Sequence, residues 1–267
     1  MEKTSPIGIF DSGVGGLTVV KSLLEKLPGE NFIYFGDTAH VPYGNKTDEQ
    51  LFGYAHQILA FLLNQKVKAV IVACNTHSSI TLPSLLKVCS LPLLGVVKAG
   101  ARVAVRTSLS GRIGVLATQA TANSRSYSRE IQVLEPDFQV FEIACPGLVP
   151  LVESGQLNGP ETRAAVQEYV VPLLEKQVDT LILGCTHYPF LAQVIEDYAG
   201  QEVALVDPSD ETISQVAGLL KEKDLLNDSN AEPWREFYVS GLSDSFYKVG
   251  TVLIGDVIRK VRKVDLP

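Results

Sequence analysis

The chain contains the stretch Val67-Lys-Ala-Val-Ile-Val-Ala-Cys74-Asn75-Thr76 and a second stretch of the same pattern, Val178-Asp-Thr-Leu-Ile-Leu-Gly-Cys185-Thr186-His187. In both, the cysteine stands seven residues after a valine and closes a run of largely apolar residues. Such a run, ending in a small residue, a thiol and a hydroxyl, is typical of a buried parallel strand with polar groups at its carboxyl end. Open α/β sheets bind their ligands at that end.

Two further segments repeat along the chain. Ile7-Gly-Ile-Phe matches Ile113-Gly-Val-Leu, and Phe32-Ile-Tyr-Phe matches Phe138-Gln-Val-Phe, both at a separation of 106 residues. The two cysteines are 111 residues apart, so the order is kept at nearly one offset. The repeat predicts an α/β fold of two pseudo-symmetric domains with mainly parallel sheets. The active site is expected in the cleft between them, with one thiol from each domain.

The length of 267 residues suits two domains of about 100–150 residues each. We predict a first domain from residues 1–97 plus 208–267 and a second from residues 98–207. Residues 98–107 are expected to form the helix that crosses into the second domain. The segment Phe237–Leu266 is expected to return to the first domain, because a lone tail would make only a marginal core.

The composition limits the possible partners and locations. A net charge of −7 and a pI near 5.2 disfavour binding to nucleic acid or to an anionic membrane. The sequence has neither an apolar run of about 18 residues nor a secretory signal, so we predict a cytoplasmic protein. The four cysteines lack Cys-x-x-Cys spacing, and the cytoplasm would keep them reduced.

Paired thiols at equivalent strand ends indicate chemistry on both faces of one small molecule. A racemase that acts at carbon needs one group to remove a proton from one face and another to donate from the opposite face. A single cysteine is more often simply buried, but the repeat favours a functional role for Cys74 and Cys185. Free thiols titrate near pH 8.5, and helix amino ends after each cysteine are expected to lower that pKa.

Asp11 and His187 are candidates to exchange protons with the thiols. The alternatives are a helix cap for Asp11 and an ordinary buried histidine for His187, while His77 is interpreted as a local polar contact. The loop Asp11-Ser12-Gly13-Val14-Gly15-Gly16 has Thr18 where a dinucleotide fingerprint needs its third glycine. We interpret it as a tight turn whose amides can hold a carboxylate.

Hydroxyl and amide groups follow several of the predicted strands. They could supply donors for the carboxylates and acceptors for the ammonium group of a zwitterion, and they are Ser12, Tyr43, Gly44, Asn75, Thr76, Thr118, Thr121 and Thr186. Each is unremarkable alone, because such residues commonly cap helices. No histidine–carboxylate spacing indicates a metal, and no lysine has a pyridoxal-binding context, so we expect neither metal nor cofactor.

The chain resembles the glutamate racemases of the cofactor-independent aspartate/glutamate racemase superfamily. The motifs that carry the resemblance are Phe10-Asp11-Ser12-Gly13-Val14-Gly15-Gly16-Leu17-Thr18, Gly36-Asp37-Thr38 with Val41-Pro42-Tyr43-Gly44, Ala73-Cys74-Asn75-Thr76, and Leu183-Gly184-Cys185-Thr186-His187-Tyr188-Pro189. They keep the family's order, and the resemblance covers essentially the whole chain.

The resemblance implies that Cys74 and Cys185 are the acid/base thiols that interconvert L- and D-glutamate, assisted by Asp11 and His187. It implies substrate binding by Asp11, Ser12, Pro42, Tyr43, Gly44, Asn75, Thr76, Thr186 and His187, with Thr118, Thr121 and Glu153 lining the second-domain side. The product would feed peptidoglycan synthesis in a bacterial cytoplasm, and a homodimer is expected. The chain departs from the family pattern at His40, at His77 and at Val97-Lys98-Ala99.

Two alternatives remain. An aspartate racemase of the same superfamily usually carries glutamate after the second Cys-Thr, so His187 favours glutamate as substrate. A ligand-binding or thiol-redox protein would keep the repeat without transferring protons. We also expect Cys89 and Cys145 to be dispensable, because neither ends a matched strand.

Overall fold

The computed structural model describes residues 2–266. Their strands are β1 Ile7–Asp11, β2 Phe32–Gly36, β3 Ala69–Val72, β4 Leu93–Gly95, β5 Arg112–Ala117, β6 Gln139–Ala144, β7 Thr180–Gly184, β8 Ala204–Val206, β9 Arg235–Val239 and β10 Val261–Lys263. Their α-helices are α1 Leu17–Lys26, α2 Asp48–Asn64, α3 Asn75–Ile80, α4 Leu82–Val88, α5 Val96–Thr107, α6 Gln119–Ser124, α7 Ser126–Leu134, α8 Leu148–Glu153, α9 Pro160–Leu174, α10 Ala192–Ala199, α11 Ser209–Glu222 and α12 Ser243–Ile254. Short 3₁₀ turns occupy Tyr43–Asn45, Tyr188–Leu191 and Gly255–Val257. Within residues 2–266, no helix has both the length and the apolar character needed to cross a bilayer.

The strands form two parallel sheets, as the repeat predicts. One has the order β10-β9-β2-β1-β3-β4 and the other the order β6-β5-β7-β8. The order β2-β1-β3-β4 in the first sheet therefore matches β6-β5-β7-β8 in the second. Cys74 follows β3, which pairs with the central strand β1, and Cys185 follows β7, which pairs with the central strand β5. The predicted fold class is confirmed.

The central strands are covered on both faces. In β1, Ile7 and Ile9 belong to the apolar cluster that includes Leu17 and Val20 of α1, whereas Phe10 belongs to the cluster formed with α2. Successive side chains of a strand point to opposite faces, so both faces are apolar here. Polar side chains are consequently concentrated at the strand ends, where the loops begin.

The chain after α11 returns to the first sheet, as expected for residues 237–266. β9 pairs with β2, and β10 pairs with β9. The crossing helix, α5, begins at Val96 rather than at residue 98. The domain boundaries stay a prediction, because α11 contacts both α1 and α5; the outermost predicted ends, residues 1 and 267, lie outside the described residues.

A buried ion pair lies at the amino end of the strands of the first sheet, opposite the end that carries Cys74. Nζ of Lys68, the residue before β3, lies 2.5 Å from Oε2 of Glu30, and the two side chains are almost completely buried. The ammonium group also donates to the carbonyls of Lys3 and Leu225. Burial lowers the pKa of Lys68 against the opposing effect of Glu30. The pair and these carbonyls therefore join four segments that are distant in the sequence.

We predict that Lys68→Met lowers the free energy of unfolding by about 3–5 kcal/mol, because Glu30 is left buried without its partner. Urea denaturation measures this loss, and combining Lys68→Met with Glu30→Leu should recover most of it. Lys26→Met is the control, since the Lys26–Asp210 pair is 3.7 Å apart and partly exposed and should contribute at most about 1 kcal/mol. Equal losses in the two single variants would contradict the prediction.

Candidate active site

The two repeated cysteines line one cavity of about 380 Å³ between the sheets. Cys74 lies two residues after β3 and immediately before α3, while Cys185 directly follows β7. Each is only 5% exposed. The cavity is lined by Ser12, Pro42, Tyr43, Gly44, Asn45, Cys74, Asn75, Thr76, Thr118, Gln119, Cys145, Pro146, Val149, Cys185, Thr186 and His187.

Asp11 lies at the end of β1 and is fully buried. Its Oδ2 accepts hydrogen bonds from the backbone N–H groups of Gly13 (3.1 Å) and Gly16 (3.0 Å), and its Oδ1 accepts one from the Thr186 hydroxyl (3.1 Å). Burial raises the pKa of Asp11, against the charge of His187 and these hydrogen bonds. Asp11 therefore connects the glycine-rich loop to the loop that carries Cys185.

His187 is held between a thiol and a carboxylate. Its Nδ1 lies 3.6 Å from Sγ of Cys185, and its Nε2 lies 2.6 Å from Oε1 of Glu153. Burial alone would lower the pKa of His187, but hydrogen bonds to Cys185 and Glu153 and their charges raise it well above its usual value. Burial favours the neutral form of Glu153 and so acts to raise its pKa. The contacts with His187 and with the Val14 N–H outweigh this effect and lower the pKa of Glu153. The geometry therefore favours an imidazolium beside Cys185.

The glycine-rich loop makes room for these side chains. A Cβ atom on Gly13 would collide with the carboxylate of Glu153, and one on Gly15 would collide with the ring of His187. The N–H of Val14 donates to Oε1 of Glu153 at 3.1 Å. The loop amides hold carboxylates, as predicted, and those in contact belong to Asp11 and Glu153 of the chain itself.

The pKa of Cys74 differs from expectation. The N–H groups of His77 and Thr76, in the first turn of α3, act to lower the pKa. Burial and the charge of Asp11 act to raise it, and they outweigh the two amides, so the net shift is upward. The expected lowering is therefore wrong for this thiol. Cys185 is followed by the 3₁₀ turn Tyr188–Leu191 rather than by an α-helix amino end, so the expectation of a helix after each cysteine is wrong for the second.

The Tyr43 ring is oriented from behind the cavity. Its hydroxyl donates to Oδ2 of Asp37 at 2.6 Å, and Asp37 also accepts from the Ser240 hydroxyl at 2.5 Å. Tyr43 and Gly44 belong to the turn that reaches across to the second sheet, where a Cβ on Gly44 would lie 3.4 Å from Cβ of Thr118. Gly44 therefore lies beside the start of α6, at a separation where even a Cβ atom would make only an ordinary van der Waals contact.

Three threonine hydroxyls meet across the cleft. Oγ1 of Thr76 lies 2.9 Å from that of Thr118 and 3.4 Å from that of Thr121, and Thr118 donates to Thr121 at 3.0 Å. Thr118 also caps α6 by accepting from the N–H of Thr121. Thr76 and Thr118 line the cavity, whereas Thr121 is fully buried behind them.

Three of the predicted site residues, Asp11, Thr121 and Glu153, do not line the cavity. Each instead contacts a residue that does: Asp11 contacts Thr186, Thr121 contacts Thr118, and Glu153 contacts His187. Their direct binding of substrate stays a prediction, and the geometry gives them a supporting position. His77 is buried and lies 3.1 Å from the Thr81 hydroxyl, in agreement with its interpretation as a local contact.

Five lining residues were missed in the sequence: Asn45, Gln119, Cys145, Pro146 and Val149. Cys145 directly follows β6, so the reason for setting it aside is wrong, although its dispensability stays a prediction. Applying the strand-end rule to β6 would have found Cys145 and Pro146. Val149 lies within α8 and carries no sequence signal of its own. Among residues 2–266, no three His, Cys, Asp or Glu side chains are grouped in a way that could hold a metal ion.

Comparison with known proteins gives consistent matches. The sequence model of the family described as Asp/Glu/Hydantoin racemase matches residues 7–216. A glutamate racemase from Syntrophus aciditrophicus (strain SB) is 46% identical over 261 residues, covering 98% of this chain and 97% of the relative. The crystal structure of a glutamate racemase from Francisella tularensis in complex with D-glutamate is 36% identical, with a TM-score of 0.92 over 98% of both chains. That of a Bacillus anthracis isoform is 34% identical, with a TM-score of 0.93, covering 100% of this chain and 98% of that chain.

We predict that Glu153→Gln lowers the pKa of His187, because the neutral amide no longer stabilises the imidazolium. NMR of the histidine ring resonances during a pH titration measures the shift. Glu142→Gln is the matched control: Glu142 is also a partly buried carboxylate that accepts hydrogen bonds, but its partner is Ser128, outside the cavity. A pKa of His187 that is unchanged in Glu153→Gln would contradict the assignment.

Proposed function

The chain belongs to the Asp/Glu/hydantoin racemase family, and we propose that it is a glutamate racemase that interconverts L- and D-glutamate without a cofactor. The observation that carries the proposal is the single cavity lined by Cys74 and Cys185, which follow equivalent strands of the two sheets. The choice of glutamate is supported by the names of the relatives compared above and by the D-glutamate bound to the Francisella tularensis enzyme.

The proposed reaction moves one proton at the α-carbon. A thiolate on one face removes the α-proton, and the thiol on the opposite face donates its proton to the resulting carbanion. One C–H and one S–H bond break, and one of each forms. The configuration at the α-carbon is inverted with no net consumption of protons. Positioned acid and base groups of this kind typically accelerate a reaction about 10²–10⁴-fold each.

The charged neighbours of the two thiols differ. Burial and the charge of Asp11 raise the pKa of Cys74, which favours its thiol form, whereas the ring of protonated His187 lies 3.6 Å from Sγ of Cys185 and can stabilise negative charge there. We infer that, in the direction in which Cys185 removes the α-proton, His187 stabilises the charge on that sulfur while Cys74 donates from its thiol. In this proposal His187 supports the proton transfers of Cys185, and Asp11 supports those of Cys74.

Neutral donors would bind the substrate. The protein is acidic overall, so carboxylates must be held by groups placed locally. The cavity offers the hydroxyls of Ser12, Thr76, Thr118 and Thr186 and the amide of Asn75. Donors already fixed in a dry site stabilise developing negative charge without having to reorganise. We infer that they hold glutamate with its α-carbon between the two sulfurs.

An aspartate racemase is the second candidate, since the same chemistry would apply. His187 after Cys185-Thr186 and the glutamate-specific names of the relatives favour glutamate. Parallel assays of the two amino acids decide between them: faster turnover of aspartate would overturn the proposed substrate.

The wider role follows from the proposed product. D-glutamate would supply peptidoglycan synthesis, and the cytoplasm is the compartment in which its precursors are made. We also propose a homodimer, on the strength of the family resemblance alone. Sedimentation of the purified chain tests that assembly, and a single monomeric species at micromolar concentration would overturn it.

We predict that L-glutamate incubated with the protein in deuterium oxide gives D-glutamate deuterated at Cα, while L-glutamate recovered early keeps its proton. With two thiols, the proton leaves to one sulfur and deuterium arrives from the other, which has exchanged with solvent. Proton NMR and a chiral assay follow both pools. Early deuterium in the recovered L-glutamate would indicate that one group serves both faces, and no exchange at all would overturn the racemase proposal.

Each of Cys74→Ala and Cys185→Ala is predicted to reduce racemisation at least about 10²-fold, because each removes one of the two proton-transfer groups. Cys89→Ala is the control and should keep full activity, since Cys89 directly follows α4 and does not line the cavity. Circular dichroism confirms folding of each variant. Substantial turnover by either active-site variant would overturn the two-thiol mechanism.

A further inference from the structure

Tyr127 stands directly behind the cavity without lining it. It lies in the first turn of α7 and is fully buried. Its hydroxyl donates to Oδ1 of Asn75 at 2.7 Å, across the boundary between the two sheets. Asn75 is the residue after Cys74, and it lines the cavity. A side chain of the second half therefore contacts the residue next to the thiol of the first.

The hydrogen bond determines which end of the Asn75 amide faces the cavity. Burial and nearby negative charges raise the pKa of Tyr127 well above its usual value, so its hydroxyl keeps the proton. If the amide were flipped, the NH₂ group would face the hydroxyl and leave this proton buried without an acceptor, which is costly. Among residues 2–266, no acceptor is hydrogen-bonded to Nδ2 of Asn75. The amide N–H groups are therefore available to a ligand.

The Tyr127 ring packs closely against two glycines, where the absence of side chains leaves room for it. A Cβ on Gly100 would lie 3.1 Å from Cε1 of the ring, and a Cβ on Gly184 would lie 3.2 Å from Cε2. Gly184 immediately precedes Cys185, just as Asn75 immediately follows Cys74. The ring thus packs against one thiol loop while its hydroxyl is bonded to the other. A tyrosine fixed in this way has little freedom to release Asn75.

We propose that Tyr127 is a positioning residue that holds the Asn75 amide with its N–H groups toward a carboxylate of the substrate. The inference rests on the proposed function, since it takes glutamate to be the ligand. Without the phenolic hydroxyl the amide can rotate and present its carbonyl oxygen, which repels a carboxylate. The substrate carboxylate is charged in both the ground state and the transition state. Loss of the Asn75 N–H donor therefore weakens the binding of the substrate and of the transition state alike.

The test is Tyr127→Phe, which keeps the packed ring and removes only the hydroxyl. We expect KM for glutamate to rise about tenfold, as for the loss of one oriented hydrogen bond to a charged group, with kcat changed less than about threefold. Tyr238→Phe is the matched control: Tyr238 is also buried and donates to Glu236, but it lies in β9, outside the cavity. Loss of the Tyr238 hydroxyl should leave KM for glutamate unchanged.

Two variants of Asn75 separate orientation from packing. Tyr127→Phe combined with Asn75→Ala should match Asn75→Ala alone within about twofold, because both remove the same interaction. Asn75→Asp should raise KM more than Asn75→Ala, because an oxygen of the new carboxylate must face the substrate. If Tyr127→Phe does not fold, this comparison still tests the amide orientation on which the proposed role of Tyr127 depends.

The outcomes are distinct. An unchanged KM in Tyr127→Phe, a purely additive double variant, or an Asn75→Asp no worse than Asn75→Ala would overturn the role of Tyr127 while the racemase stands. If the wild-type protein neither exchanges the α-proton of glutamate nor racemises it, the proposed function and this inference both fall. A lower melting temperature with unchanged KM and kcat would make Tyr127 a purely structural residue.

Discussion

The backbone N–H groups of the loop Gly13–Gly16 bind two carboxylates, one fully buried and one partly buried, that come from different halves of the chain. Asp11 comes from the end of β1 and Glu153 from the end of α8. Asp11 accepts a hydrogen bond from Thr186, and Glu153 is bonded to His187, so the two residues that follow Cys185 depend on carboxylates held by a loop of the first half. The loop can do this only because Gly13 and Gly15 have no side chains where Glu153 and His187 lie.

The sequence contained enough to predict the fold and the line of polar groups at the strand ends. Apolar runs of β-forming residues must be buried on both faces of a sheet. The hydroxyls, amides and thiols that follow these runs could therefore meet only at the carboxyl ends of the strands. It did not separate residues that line the cavity from residues one layer behind, because Thr118 and Thr121 look alike in sequence. Val149 had no signal, since an apolar helical residue is normally part of a core. The expected lowering of the pKa of Cys74 was wrong because two helix amides cannot offset nearly complete burial beside Asp11.

The extra strands of the first sheet contribute to the site although they have no counterpart in the second. Ser240, just after β9, donates to Asp37, which in turn accepts from the hydroxyl of Tyr43. A segment distant in sequence thereby helps to orient a ring in the cavity wall. The repeated four-strand core and the two extra strands act together, so the two halves differ in more than the surroundings of their thiols.

The unequal surroundings of the two thiols have a consequence for the rates in the two directions. Cys74 lies beside Asp11 and the amides of α3, whereas Cys185 lies beside His187. Mirror-image amino acids have equal free energies in water, so the equilibrium constant of their interconversion is one. The Haldane relation then requires kcat/KM to be the same for both enantiomers, however different the two thiols are. For a catalyst built this way, asymmetry can appear only as a larger kcat accompanied by a proportionally larger KM in one direction.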